Sequence, residues 1–212
     1  MKRKLTRLPL EELRTEYQRS AQAIRNRLKE FKQVPPSEYF YEIVYCILTP
    51  QSSAANAERA VRLLREHNLA GADIDPEPLL HQDEFYIRFH KTKAQFLLDL
   101  KAQYPEVLRR LRNGSESRDL RVWLLDNIGG FGWKEASHFL RNIGHEGLAI
   151  LDRHILKNLI RTGVLRALPP TLTPKRYLSI ERKFHKFALQ IDIPMDELDL
   201  LFWSMETGEI RK

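Results

Sequence analysis

The chain has one cysteine, Cys46, in 212 residues. A single thiol excludes an intrachain disulfide and any cysteine-rich zinc or iron–sulfur centre. No stretch approaches the roughly 20 apolar residues of a membrane span, and the N-terminus, charged from Lys2 to Arg7, lacks the apolar core of a signal peptide. No segment alternates apolar and polar residues as a half-buried strand would, and no internal repeat or low-complexity tract is present. Acidic residues are outnumbered: 28 Asp and Glu stand against 35 Lys and Arg, giving a net charge of +7 and a pI near 9.5. Such a surface attracts polyanions. With 42% hydrophobic residues the chain can bury a sizeable core, as one domain or two closely joined lobes. A soluble cytoplasmic protein is expected, with Cys46 a small buried hydrophobe inside the apolar run Ile43 to Leu48.

What is present is helical periodicity, almost from end to end. Leu10, Leu13, Tyr17, Ile24, Leu28 and Phe31 fall on one face of a helix over about 10–32, ended by Pro35-Pro36. A second helix is predicted over about 37–48 and a third around Ala57, Ala60, Val61 and Leu64, joined by the polar loop Gln51-Ser52-Ser53. Further helices are expected within 92–111, where Pro105 should break the run. Leu120, Trp123, Leu124 and Ile128 share one face, Ala136, Phe139, Leu140 and Ile143 another, and Gly129, Gly130 and Gly132 lie between them. Asp152 precedes Ile155, Leu156, Leu159 and Ile160 and is a predicted N-cap. Thr173-Pro174 and Pro194 open two more helices, the last reaching Trp203. The fold class is all-α.

The stretch Asn127-Ile128-Gly129-Gly130-Phe131-Gly132-Trp133-Lys134 carries the chemistry. A glycine-rich turn between two helices lets backbone N–H groups reach a phosphate without Cβ obstruction, and the following helix adds its positive end. Gly130, Gly132 and Trp133 are therefore candidate DNA-phosphate contacts; the competing reading is a tight turn and nothing more. An amine such as Lys134 can attack a sugar C1′ once it sheds its proton, and a carboxylate such as Asp152 can accept a proton or stabilise an oxocarbenium-like sugar. Taken singly, Lys134 also reads as a solvated helix residue and Asp152 as a cap. Gln51 and Ser52 are candidate substrate contacts or members of a polar loop capped by Ser52 or Ser53. The run Lys91-Thr92-Lys93 reads as a solvated helix start or a phosphate contact. His138 and His154 read as local packing or hydrogen-bonding residues, and no metal or cofactor is expected.

These segments resemble the helix-hairpin-helix DNA glycosylase superfamily, and within it the second class of 8-oxoguanine DNA glycosylase/AP lyase. The similarity runs through Ile128 to Asn142, Ile150 to Leu156, Leu48 to Ala54, Ile87 to Ala94 and the ending Leu201 to Lys212. It implies two helical lobes around a DNA-binding cleft. The central lobe would span about 37–165 with the hairpin motif at about 118–143, and the N-terminal helix, about 10–33, would pack with C-terminal helices over about 171–212. It also implies that Lys134 displaces the base and forms a Schiff base, with Asp152 assisting, before β-elimination nicks the strand. Trp203 is the candidate for stacking on an extruded base, Phe85, in preference to Phe89, for filling the vacated stack, and Lys212 for telling 8-oxoguanine from guanine. The implied partner is double-stranded DNA containing oxidised guanine, met by a monomer in a prokaryotic cytoplasm. The pyrimidine-repair branch usually carries four C-terminal cysteines that are absent here. A non-catalytic DNA-binding module and a glycosylase for another damaged base are the alternatives.

Overall fold

The computed structural model describes residues 6–210. Among them run α1 (Leu10–Lys32), α2 (Tyr39–Leu48), α3 (Ala54–Glu66), α4 (His90–Arg112), α5 (Ser117–Asn127), α6 (Trp133–Asn142), α7 (Arg153–Arg161), α8 (Pro174–Ile191) and α9 (Met195–Thr207). The described residues hold no strand, only one antiparallel bridge between His81 and Tyr86. None of these helices is long and apolar enough to cross a membrane. The residues form two compact units, one of 34–143 and one made of the described residues up to Gln33 and from Gly144 onward.

In the 34–143 unit, α2 is buried from Phe40 to Leu48 and apolar except for Glu42, as suits a helix that neighbours cover on every side. It packs against α3, α4 and α6, and Cys46 is fully enclosed. Pro105 does not break α4, contrary to expectation: the helix continues through it to Arg112. A proline inside a helix costs about 3 kcal/mol. Leu97, Leu100 and Val107 nevertheless stay on one buried face across it, and burying each such side chain returns about 1.5–3 kcal/mol.

In the other unit, α9 packs against α1, α7 and α8, with Phe184 stacked on Phe202 at 5.9 Å. Glu197 of α9 accepts hydrogen bonds from the Tyr17 hydroxyl at 2.5 Å and Arg25 Nε at 3.2 Å, which tie α1 down. Leu13, Ile24 and Phe31 form the buried face of α1, but Leu10, at its first turn, is 44% exposed. Gly144 adopts φ +92°, and a Cβ there would meet Lys32 Cα at 2.8 Å, so the crossing with α1 requires glycine. The 34–143 unit ends at Ile143, short of the position near 165 expected for the central lobe, because α7 packs on α9.

Candidate active site

The hairpin joins α5 to α6. Ile128 N–H closes α5 on Leu124 O, and Phe131 N–H turns back to Ile128 O at 3.1 Å. Gly130 takes φ +83°, and the Phe96 ring of α4 lies against both preceding glycines, so that a Cβ on Gly129 or Gly130 would fall 2.7 Å from it. Gly130 is exposed, and its N–H makes no hydrogen bond among the described residues. The Gly132 N–H, by contrast, is occupied: Glu135 Oε2 accepts it at 3.2 Å, the glutamate half of a capping box. Trp133 opens α6 with its ring under the buried Arg121 guanidinium at 4.8 Å, while Arg121 Nη1 donates to Ser137 Oγ at 3.2 Å. That arginine covers one face of the indole.

Lys134, the second residue of α6, is half-buried. Its Nζ lies 3.1 Å from Glu135 Oε1, so a single carboxylate caps the helix with one oxygen and holds the amine with the other. A second amine belongs to the same cluster. Lys93 is neither solvated nor available to a phosphate: it is 6% exposed, and its Nζ donates to Leu48 O at 2.8 Å and Pro50 O at 2.7 Å. Carbonyls at the end of α2 lack helical partners, and Lys93 supplies one. Burial pushes the Lys93 ammonium down to about 8; the Lys134 charge adds to this and Glu135 opposes it.

That depression has a sign. A folded-state pKa below the unfolded value means that the native protein holds fewer protons than the unfolded chain between about 8 and the ordinary lysine value of 10.5. Stability relative to Lys93→Met is therefore expected to rise with pH across that window, by roughly 3 kcal/mol. Denaturant melts of both proteins from about pH 7 to 11 check this. A constant difference would show that Lys93 is not desolvated.

Two loops border the same cluster. Gln51 is exposed and sits at φ +58°, a conformation a non-glycine residue adopts at some cost. Ser52 Oγ accepts Arg88 N–H at 3.1 Å, and Ser53, not Ser52, is the N-cap of α3, accepting Asn56 N–H. Phe85 is partly exposed. Phe89 is left-handed at φ +61°, 49% exposed, with the Arg88 guanidinium 5.0 Å from its ring. Ile47, Pro50, Phe89, Thr92, Lys93, Phe96 and Gly130 line a cavity of about 230 Å³.

Asp152 belongs to the other unit, where it caps α7. Its Oδ1 accepts both His154 N–H and Ile155 N–H at 2.8 Å, and Oδ2 makes no hydrogen bond among the described residues. Trp203 is partly exposed with its ring edge-on to His154 at 6.4 Å. Asn158 Nδ2 donates to His154 O at 3.0 Å and Phe202 O at 3.4 Å, so α7 and α9 present Asp152 and Trp203 from one rigid pair. His138 is buried against Tyr45 at 5.8 Å. Lys212 lies outside the described residues. Glu135 and Arg121 were not singled out by sequence reasoning, and Lys93 was read only as a solvated helix start or a phosphate contact; the one local signal for Glu135 was a glutamate three residues after a cap position.

The profile of 8-oxoguanine DNA glycosylase matches residues 24–193. The chain belongs to that family. An 8-oxoguanine DNA glycosylase/AP lyase of Fusobacterium nucleatum is 40% identical over 211 residues, covering 92% of this chain and 94% of that protein. One of Korarchaeum cryptofilum is 34% identical over 202 residues, covering 94% and 95%. Among solved glycosylases of the family, that of Thermotoga maritima superposes with a TM-score of 0.84 at 29% identity, covering 96% of this chain and 98% of that one. The 8-oxoguanine glycosylase/lyase of Methanocaldococcus jannaschii, solved in complex with a 15mer DNA containing 8-oxoguanine, also gives 0.84 at 28% identity, covering 96% and 99%.

Proposed function

We propose that this protein is a bifunctional repair glycosylase that excises 8-oxoguanine from duplex DNA and nicks the resulting abasic site, with Lys134 as nucleophile and Asp152 as its carboxylate partner. The observation that carries the assignment of Lys134 is its amine, half-buried beside a glycine hairpin and ion-paired at 3.1 Å, in a chain of the 8-oxoguanine DNA glycosylase family.

The reaction begins with extrusion of the damaged nucleotide, because C1′ is shielded in the stack; unstacking costs a few kcal/mol. The hairpin grips the backbone through the exposed Gly130 amide and the positive end of α6. Such a grip positions the duplex without reading its sequence. Trp203 stacks on the extruded base. Phe89 is better supported than Phe85 as the side chain that fills the gap, since its ring is half exposed on a strained backbone. Gln51 and Ser52 contact the nucleotide, and Lys212 reads the N7–H that 8-oxoguanine has and guanine lacks.

Lys134 Nζ bonds C1′ as the bond to the base nitrogen breaks and its electron pair leaves with the base. Asp152, anchored through Oδ1, turns a second oxygen to the positive charge that develops on the sugar. Opening of the sugar ring gives the protonated imine. Loss of a C2′ proton then expels the 3′ phosphate, and water later frees the lysine. Both side chains come from one chain, so a monomer suffices. The relatives come from bacteria and archaea, which supports action in a prokaryotic cytoplasm.

Single-turnover nicking of duplexes carrying 8-oxoguanine, undamaged guanine or an alkylated purine at one site tests the reading. Cleavage at 8-oxoguanine, with a borohydride-trapped adduct, is the expected result. An adduct formed faster on another lesion would transfer the assignment to that lesion, and binding without any adduct would reduce the protein to a DNA-binding module.

A further inference from the structure

We propose that Glu135 is the group that takes the proton from Lys134 when its amine attacks the sugar, an inference that rests on the functional reading above. The amine must lose a proton to expose its lone pair. Glu135 Oε1 stands 3.1 Å from Nζ, within transfer distance, and both side chains are withdrawn from solvent, 25% exposed for Lys134 and 14% for Glu135. The acceptor is also held still. Glu135 Oε2 stays bonded to Gly132 N–H at 3.2 Å, so the hairpin that grips the backbone also aims the oxygen that receives the proton.

In the step, one N–H proton passes from Lys134 Nζ to Glu135 Oε1 and the freed electron pair forms the N–C1′ bond. The bond from C1′ to the base breaks, and its pair leaves with the base. Oε2 remains an acceptor throughout, since a neutral carboxyl group keeps its carbonyl oxygen for the Gly132 N–H. Other charges stand on the elements around α6. Lys93 of α4 feels the charges of both Lys134 and Glu135, Arg121 of α5 lies over Trp133, and Glu42 of α2 is bonded by Asn142 Nδ2 at 3.1 Å. His138 and Tyr45 face each other one turn further along.

Glutamine separates capping from proton transfer, because its carbonyl oxygen also accepts an N–H in a capping box. Glu135→Gln should keep its melting temperature and its affinity for 8-oxoguanine duplex while single-turnover adduct formation slows by roughly 10²-fold. The deficit should shrink as pH rises from about 7 to 9, because solvent base replaces the missing acceptor. Repeating the comparison in a Lys93→Met background removes a neighbour that titrates in this range. An adduct rate equal to wild type, or a loss of the same size at every pH, would overturn the role of Glu135 while wild-type trapping leaves the glycosylase reading intact. Failure of the wild type to form any adduct would overturn both.

Discussion

Replacing Lys134 by Gln should abolish the borohydride-trapped adduct and slow nicking by roughly 10³-fold or more, since removal of a covalent nucleophile leaves only binding and electrostatic assistance. DNA affinity should hold, because the proposed grip on the backbone is made by the Gly130 amide and the end of α6. The cost to stability should be about 1 kcal/mol or less, the range of a partly exposed ion pair. A gel-shift titration beside the trapping assay separates the two effects. If the variant still formed an adduct, Lys134 would not be the nucleophile, and Lys93, the other amine in the cluster, would be the next to replace.

Asp152→Asn should give the second large effect. Asparagine is as good an N-cap as aspartate, so both bonds to His154 N–H and Ile155 N–H survive and α7 should begin where it does now. What disappears is the negative charge. Base removal should fall by roughly 10²–10⁴-fold with the melting temperature nearly unchanged. Asp152→Ala removes cap and charge together and should cost about 1 kcal/mol of stability in addition. Equal base-removal rates for wild type and the asparagine variant would leave Asp152 with a capping role only.

The helices were readable wherever apolar spacing alone decides them. The α1 stripe ends at Lys32, as the spacing through Phe31 required, and Asp152 caps α7 because a carboxylate before Ile155 and Leu156 has an orphan N–H to satisfy. Pro105 misled for a local reason: its missing N–H is visible in sequence, whereas the burial of Leu100 and Val107 on either side is not. The cluster around Lys134 was half legible. Glycines flanking a phenylalanine mark the turn, and the lysine follows at once. Lys93 was hidden because its partners, the carbonyls of Leu48 and Pro50, are 45 and 43 residues away, and a backbone carbonyl leaves no trace in composition. Arg121 was hidden in the same way, its charge set against an indole and a hydroxyl that only folding brings near.

Guanine is oxidised when peroxide and radicals are abundant, conditions that also consume protein thiols. Cys46 is sealed in the last turn of α2 with no exposed surface, and sulfenic acid formation needs access as well as a thiolate. The chain has no other sulfhydryl. Its activity should therefore outlast the stress that creates its work, since the one group most easily poisoned by that stress is walled off from it.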